Sequence, residues 1–176
     1  MSSLSIQDQA PQADCTIGLV GLGLIGGCLA LDLKRLGYTV YGVARRRATV
    51  TAALEQGIVA QAGCDLALLS QAAVVFVCTP MAVIVPTGGQ LAEHVSESTI
   101  VTDVGSVKGE IVAAATTLWP NFVGGHPMAG KAESGLAAAE MGLFYQLPYV
   151  VTPVEATRST AVEQVVEIAT QLGSYV

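Results

Sequence analysis

Apolar residues in this chain come in short unbroken runs, and each run stops at Gly, Pro or polar residues. Thr16-Ile-Gly-Leu-Val20, Tyr38-Thr-Val-Tyr-Gly-Val43, Ala73-Val-Val-Phe-Val-Cys78 and Thr99-Ile-Val-Thr-Asp103 read as strands, as do Phe122-Val-Gly-Gly125, Tyr149-Val-Val-Thr152 and Ser174-Tyr-Val176. Continuous rather than alternating runs are what strands covered on both faces look like. Helix-like segments lie between them: one after Gly26, then Met81 to His94, Val107 to Leu118 and Arg158 to Leu172. Alternation of this kind predicts an α/β fold, a doubly wound sheet with helices on both faces, parallel over at least its first half. The 176 residues are 52% hydrophobic, which suits one well-packed domain. Residues 15–176 are read as that domain, and the polar, Gln- and Ser-rich residues 1–14 as a disordered tail. There is no internal repeat or low-complexity linker.

The first strand feeds Gly21-Leu-Gly23-Leu-Ile-Gly26, a G-x-G-x-x-G turn that opens directly into an apolar helix. Gly21 permits the tight turn, Gly23 lets the backbone approach a pyrophosphate, and Gly26 lets helix and strand pack closely, with the phosphates at the helix N-terminus. A glycine-rich turn alone is weak evidence, but here strand, turn and helix fall where a Rossmann dinucleotide site needs them. Gly21, Gly23, Leu24, Ile25 and Gly26 are therefore candidate cofactor-binding residues.

The end of the second strand selects the dinucleotide. An NAD site would carry a carboxylate there for the ribose 2′-hydroxyl; this chain has Ala44, then Arg45-Arg46-Arg47. Guanidinium forks bind a 2′-phosphate that a carboxylate would repel. A solvated basic turn is the plainer explanation. Against it, the chain has only 8 Lys and Arg, and three of them stand here. Arg45 and Arg46 are read as NADP-selecting residues.

A net charge of −6 and a pI near 4.7 argue against a nucleic-acid partner, which needs a basic face. No basic-apolar leader is visible, and the most apolar stretch, Ala72 to Val85, is broken by Thr79-Pro80 and too short for a membrane span. The expectation is a cytoplasmic protein with no membrane partner. Cys15, Cys28, Cys64 and Cys78 lack C-x-x-C spacing and read as reduced core thiols, neither zinc ligands nor a disulfide frame.

Ligands of doubly wound sheets lie beyond the carboxyl ends of the strands. Cys78-Thr79-Pro80 follows the fourth strand, and two readings of it stand level: a border to the nicotinamide ribose, or an ordinary strand stop. Asp103-Val-Gly-Ser106-Val-Lys108 follows the fifth and offers a hydroxyl and an ammonium to the cleft, while Asp103 itself reads as the cap of the next turn. After the sixth, Gly124-Gly-His126-Pro-Met-Ala-Gly130 sets a histidine in a stiff loop, where binding residues tend to occur. A structural loop histidine is the alternative; the position at the nucleotide-bearing edge favours function. His94 reads as a surface residue near a helix end.

Gly21-Leu-Gly-Leu-Ile-Gly-Gly27, Val77-Cys-Thr-Pro80, Thr102-Asp-Val-Gly-Ser-Val-Lys108 and Gly125-His-Pro-Met-Ala-Gly130, in that order, resemble the TyrA family, the prephenate and arogenate dehydrogenases of tyrosine biosynthesis. The likeness runs from about Thr16 to the C-terminus. With Ala44 and the arginines after it, the chain is more similar to the NADP-using, cyanobacterial-type arogenate dehydrogenases than to NAD-using prephenate enzymes. The resemblance implies an oxidative decarboxylation in which hydride leaves C4 of a cyclohexadienol ring for the nicotinamide, and loss of carbon dioxide from C1 gives the aromatic ring. It implies that His126 takes the proton of the C4 hydroxyl as a ketone develops, with Ser106 a second partner of that hydroxyl or of the nicotinamide amide.

The family also carries a helical C-terminal domain that dimerises and supplies the cation for the ring carboxylate. The chain stops at Val176; Arg158 lies on a late helix and Lys131 is an unassigned candidate. It is expected to be the nucleotide-binding part alone, inactive by itself, with a homodimer expected only of the full-length form. Two other readings compete: a β-hydroxyacid dehydrogenase or imine reductase, which leaves His126 unexplained, and a non-catalytic NADP-binding module.

Overall fold

The computed structural model describes residues 15–176, so the predicted tail lies outside the described residues. Seven strands form one sheet: β1 Thr16–Val20, β2 Thr39–Val43, β3 Gln61–Gly63, β4 Val74–Val77, β5 Ile100–Asp103, β6 Phe122–Pro127 and β7 Tyr149–Thr152. Their order is β3-β2-β1-β4-β5-β6-β7, parallel except for the antiparallel β6–β7 pair. This is the doubly wound Rossmann architecture, and the order reverses at β1.

Five helices cover the sheet: α1 Leu24–Arg35, α2 Arg47–Glu55, α3 Ile84–Leu91, α4 Gly109–Leu118 and α5 Ser159–Gln171. Leu29 and Leu33 of α1, Ala53 of α2, and Val165 and Ile168 of α5 pack on one face with Ile17, Leu19 and Phe76. Ile84 and Leu91 of α3 and Ile111, Val112 and Ala115 of α4 pack on the other with Val20, Val75 and Val77. The spacing explains the helices: Ala161, Val165, Ile168 and Ala169 are buried at i, i+4, i+7 and i+8 of α5, one apolar stripe with polar residues opposite. Strands β4 and β5 are buried at every position, which is why their sequences show no alternation.

Register aligns the functional edge. Gly63, Val43, Val20, Val77 and Asp103 form one row across β3, β2, β1, β4 and β5. Residues just past that row, Ala44, Gly21, Cys78 and Val104, therefore emerge side by side. No helix among the described residues is long and apolar enough to cross a membrane.

Several expected boundaries move. The Met81–His94 segment is a 3₁₀ turn, Met81–Val83, followed by the shorter α3. Gly88-Gly89 and Pro86 give it little helix propensity, and His94 lies past its end. Helix α4 starts at Gly109 rather than Val107. Ser174-Tyr-Val176 is no strand; Tyr175 makes one isolated bridge to Pro148. Neither the short edge strand β3 nor helix α2 was foreseen, because Gln61–Gly63 is too short and polar to stand out and α2 opens on the arginine run.

Candidate functional site

The glycine turn is built by steric exclusion. Gly21 has φ +102°, and a Cβ there would lie 2.6 Å from the Cys78 carbonyl oxygen, so only glycine fits between β1 and β4. A Cβ on Gly26 would lie 2.0 Å from the Gly21 carbonyl oxygen, which fixes the close seat of α1 on the turn. Gly23 differs: a Cβ there would meet nothing within 4 Å. Its bareness serves no packing within the chain, as expected of a surface that a ligand approaches. Gly23 caps α1 without a side-chain hydrogen bond, leaving the first-turn N–H groups, including those of Leu24, Ile25 and Gly26, to an outside acceptor.

The predicted Cys78-Thr79-Pro80 segment does border this turn. Cys78 donates its N–H to the Val20 carbonyl at 2.7 Å, and Thr79 Oγ1 is buried with no hydrogen-bond partner among the described residues. Burial, with the charge of Asp103 adding, pushes the Cys78 thiol far up, so it stays protonated. Cys28 is also buried, whereas Cys64 is exposed, so the reading of all four cysteines as core thiols fails for Cys64. It sits after the edge strand β3, where little chain lies outside it to provide cover.

Past β2, Ala44 donates its N–H to the Gly63 carbonyl at 3.0 Å. Arg45, Arg46 and Arg47 are exposed and form no ion pair among the described residues. Arg46 caps α2 and Arg47 opens it, so this is a strand-to-helix turn that carries three consecutive arginines.

A second cluster lies at the β5–β6 end. Asp103, fully buried, accepts from the Gly105 N–H at 2.8 Å through Oδ2 and from the Gly125 N–H at 3.1 Å through Oδ1. The Lys108 ammonium donates to Asp103 Oδ2 and, at 2.7 Å, to the Gly125 carbonyl. Burial lowers the Lys108 pKa while the Asp103 carboxylate opposes the shift. Asp103 therefore caps its turn as expected, but the Lys108 ammonium, expected to stand free at the cleft, is paired with that carboxylate. At 12% side-chain exposure it is part of the wall. Removing one partner of such a buried pair typically costs about 3–5 kcal/mol.

His126 also departs from expectation: it lies in strand β6, opposite Val150 of β7, and not in a loop. The β5–β6 ladder ends at the Thr102–Val123 pairing, and residues Gly124 to Pro127 pair with β7 instead. A glycine pair followed by His-Pro reads as a loop because the strand that completes it is over twenty residues further on. Behind Gly125, Thr102 Oγ1 and Tyr149 OH would lie 2.8 and 3.0 Å from an added Cβ; both hydroxyls are buried, and burial pushes the Tyr149 phenol up. Ser106 stands on the exposed turn after β5, its hydroxyl 3.4 Å from Met81 Sδ just past Pro80.

The turn, the Cys78–Pro80 segment, Ser106 and His126 thus share one sheet edge. No hydrogen bond joins Ser106 to His126, and Lys131 pairs with Glu140 at 3.1 Å. Sequence reasoning gave Thr102 no role beyond its place in the family-like motif, and it missed Tyr149, which carried no signal beyond an apolar strand, and the pairing of Lys108.

A family model for the prephenate dehydrogenase nucleotide-binding domain matches residues 29–176. That match begins beyond the glycine turn, so the common motif does not carry it. The chain belongs to the prephenate dehydrogenase family. It is 38% identical over 156 residues to the prephenate dehydrogenase of Bacillus subtilis (strain 168), covering 85% of this chain and 42% of that protein. Synechocystis arogenate dehydrogenase superposes with a TM-score of 0.89 at 46% identity, over 91% of this chain and 58% of that one. The prephenate dehydrogenase of A. aeolicus in complex with hydroxyphenyl propionate and NAD+ gives 0.88 at 28% identity, over 92% and 58%. This nucleotide-binding domain therefore spans about half the length of the relatives it matches.

Proposed function

We propose that this domain binds NADP and forms the nucleotide-binding half of an arogenate or prephenate dehydrogenase, with His126 as the general base and Ser106 as a second hydrogen-bond partner of the substrate hydroxyl or the nicotinamide amide. The observation that carries the reading is the convergence on one sheet edge of a turn that excludes side chains at Gly21 and Gly26, a bare Gly23, and His126 at the end of β6. The orphan Thr79 hydroxyl at the same crevice also fits a bound dinucleotide. When bound, NADP supplies the hydride acceptor.

The chain's own residues supply binding and alignment. Gly21 to Gly26 and the first turn of α1 hold the pyrophosphate, Cys78, Thr79 and Pro80 border the cofactor, and Arg45 and Arg46 pair with the 2′-phosphate. His126 takes the proton of the hydroxyl at the carbon that loses hydride, and Ser106 fixes that hydroxyl's direction. The 46% identity to an arogenate dehydrogenase favours arogenate as substrate. Turnover requires the rest of the substrate pocket, which we assign to a helical partner domain that also makes the homodimer of the full-length form. Residues 1–176 alone bind NADP without oxidising arogenate or prephenate.

Calorimetric titration of the chain with NADP and NAD tests the cofactor, with tighter NADP binding expected and equal affinities refuting it. Steady-state assays with both substrates test the reaction. The β-hydroxyacid dehydrogenase alternative gains nothing: (S)-3-hydroxybutyryl-CoA dehydrogenase of Ralstonia eutropha matches at 17% identity and TM-score 0.67, a likeness of fold alone.

A further inference from the structure

We propose that the buried Asp103–Lys108 pair is the positioning device of the site, a single clamp that fixes the residue before Ser106 and the residue before His126 to each other. The inference rests on the roles proposed above for Ser106 and His126.

Gly105 and Gly125 are far apart in the chain, yet both donate their N–H to one carboxylate, Gly105 to Oδ2 at 2.8 Å and Gly125 to Oδ1 at 3.1 Å. Lys108 closes the arrangement by donating to the Gly125 carbonyl at 2.7 Å while pairing with the same carboxylate. Both polar groups of Gly125 are thus held, and its carbonyl belongs to the peptide bond that carries the His126 nitrogen. Space is fixed as well. A Cβ on Gly125 would lie 2.6 Å from the Asp103 carbonyl oxygen and 2.8 Å from Thr102 Oγ1, so strand β6 rests directly on the end of β5.

The clamp sits where the sheet gives up its own restraint. The β5–β6 ladder stops at the Thr102–Val123 pairing, and the Asp103 side chain accepts the next donor on β6 in place of backbone. An ordinary ladder would hold β6 against β5 but would leave the turn bearing Ser106 free. A side-chain carboxylate with two oxygens holds both. Neutral residues could not do this equally: an amide at position 103 presents one acceptor and one donor to two N–H groups and an ammonium. Asp103 and Lys108 are bonded to each other and to the Gly105 and Gly125 peptides, and they act through the peptides they hold.

Three variants test this: Lys108→Met, Asp103→Asn, and the neutral pair Asp103→Asn with Lys108→Met, which removes the ionic clamp while leaving no buried charge unpaired. The chain has only two histidines, so His94→Gln assigns the His126 ring signals in NMR. In the parent chain the amides of Gly105 and Gly125, both bonded to Asp103, are expected to exchange slowly and His126 to keep one χ1 rotamer. In the folded variants we expect loss of that protection and rotamer averaging at His126, with NADP affinity unchanged within about twofold, since the glycine turn is separate. Unchanged exchange and couplings in either Lys108→Met or the neutral pair overturn the clamp.

Turnover by the full-length protein gives the second readout. Lys108→Met is expected to lower kcat on the order of 10²-fold with KM for NADP unchanged. Added to His126→Asn, it should lower kcat by far less than its own factor in the parent, because the part that acts through His126 is already gone and only the hold on the Ser106 turn remains to be lost. Losses that multiply in full show that Lys108 does not act through His126. If His126→Asn itself is harmless, the assignment of the base has failed, and the exchange data still decide whether the clamp exists.

Discussion

The two ends of the functional edge are made from different materials. At the nucleotide end, from β1 through α2, the site is bare backbone: glycines that exclude side chains, helix N–H groups without a cap, and arginines left in solvent. At the β5–β6 end it is a buried ion pair that organises two glycine peptides beside a histidine. The contrast extends to the two fully buried aspartates. Asp103 is matched by a half-buried ammonium, whereas Asp32 on α1 accepts from the Gly142 N–H at 2.9 Å and, among the described residues, has only the exposed Arg35 at 3.8 Å as a counter-charge. The pyrophosphate proposed for the first end would need a smooth positive cradle, which uncapped helix N–H groups suit. A proton transfer needs one side chain held within a fraction of an ångström, which calls for directional, charged restraints.

The largest expected effect falls on the chemical end. His126→Asn should lower turnover of the full-length protein by about 10²–10⁴ while leaving NADP affinity of the chain nearly intact. Stopped-flow hydride transfer and cofactor titration together check it; a parallel loss of NADP binding would erase the division between the two ends.

Next come the arginines. Arg45→Ala and Arg46→Ala should each weaken NADP binding by about 1.5–3 kcal/mol, with NAD binding nearly unaffected. Equal losses for both cofactors would place the arginines outside the 2′-phosphate.

The glycines separate packing from binding within one turn. Gly26→Ala forces a Cβ to within 2.0 Å of the Gly21 carbonyl oxygen, and overpacking of that kind typically destabilises by about 1–3 kcal/mol. Gly23→Ala meets no neighbour and should leave thermal stability almost unchanged while weakening NADP. Melting curves with and without cofactor distinguish them, and a destabilised Gly23→Ala would mean that Gly23 is structural.

The smallest effect concerns Asp32. Burial raises its pKa above the ordinary aspartate value, with the Gly142 N–H and Arg35 opposing. The folded chain therefore holds this proton to higher pH than the unfolded chain does. Between the unfolded and the raised folded pKa the group's contribution to stability falls as pH rises. Asp32→Asn should flatten that part of the stability profile, read by denaturant titration at a series of acid pH values. An unchanged slope would show that the Gly142 N–H and Arg35 cancel the effect of burial, and a steeper fall would show that they outweigh it.

The sequence by itself determined the glycine turn, for a physical reason: that turn is a local object. Gly21, Gly23 and Gly26 act within six residues, and the absence of an acid after β2 is read at one position. Unbroken apolar runs likewise determined a buried parallel sheet, since a strand with helices on both faces has no polar side. Only the tertiary structure decided the other end. That His126 lies in a strand depends on β7; that Lys108 bonds to Asp103 and Gly125 depends on where β5 and β6 part. Contacts between residues 22 positions apart, such as Gly125 with Asp103, leave no periodicity in the chain. They arise when two strand ends are brought side by side and a buried carboxylate must find its donors.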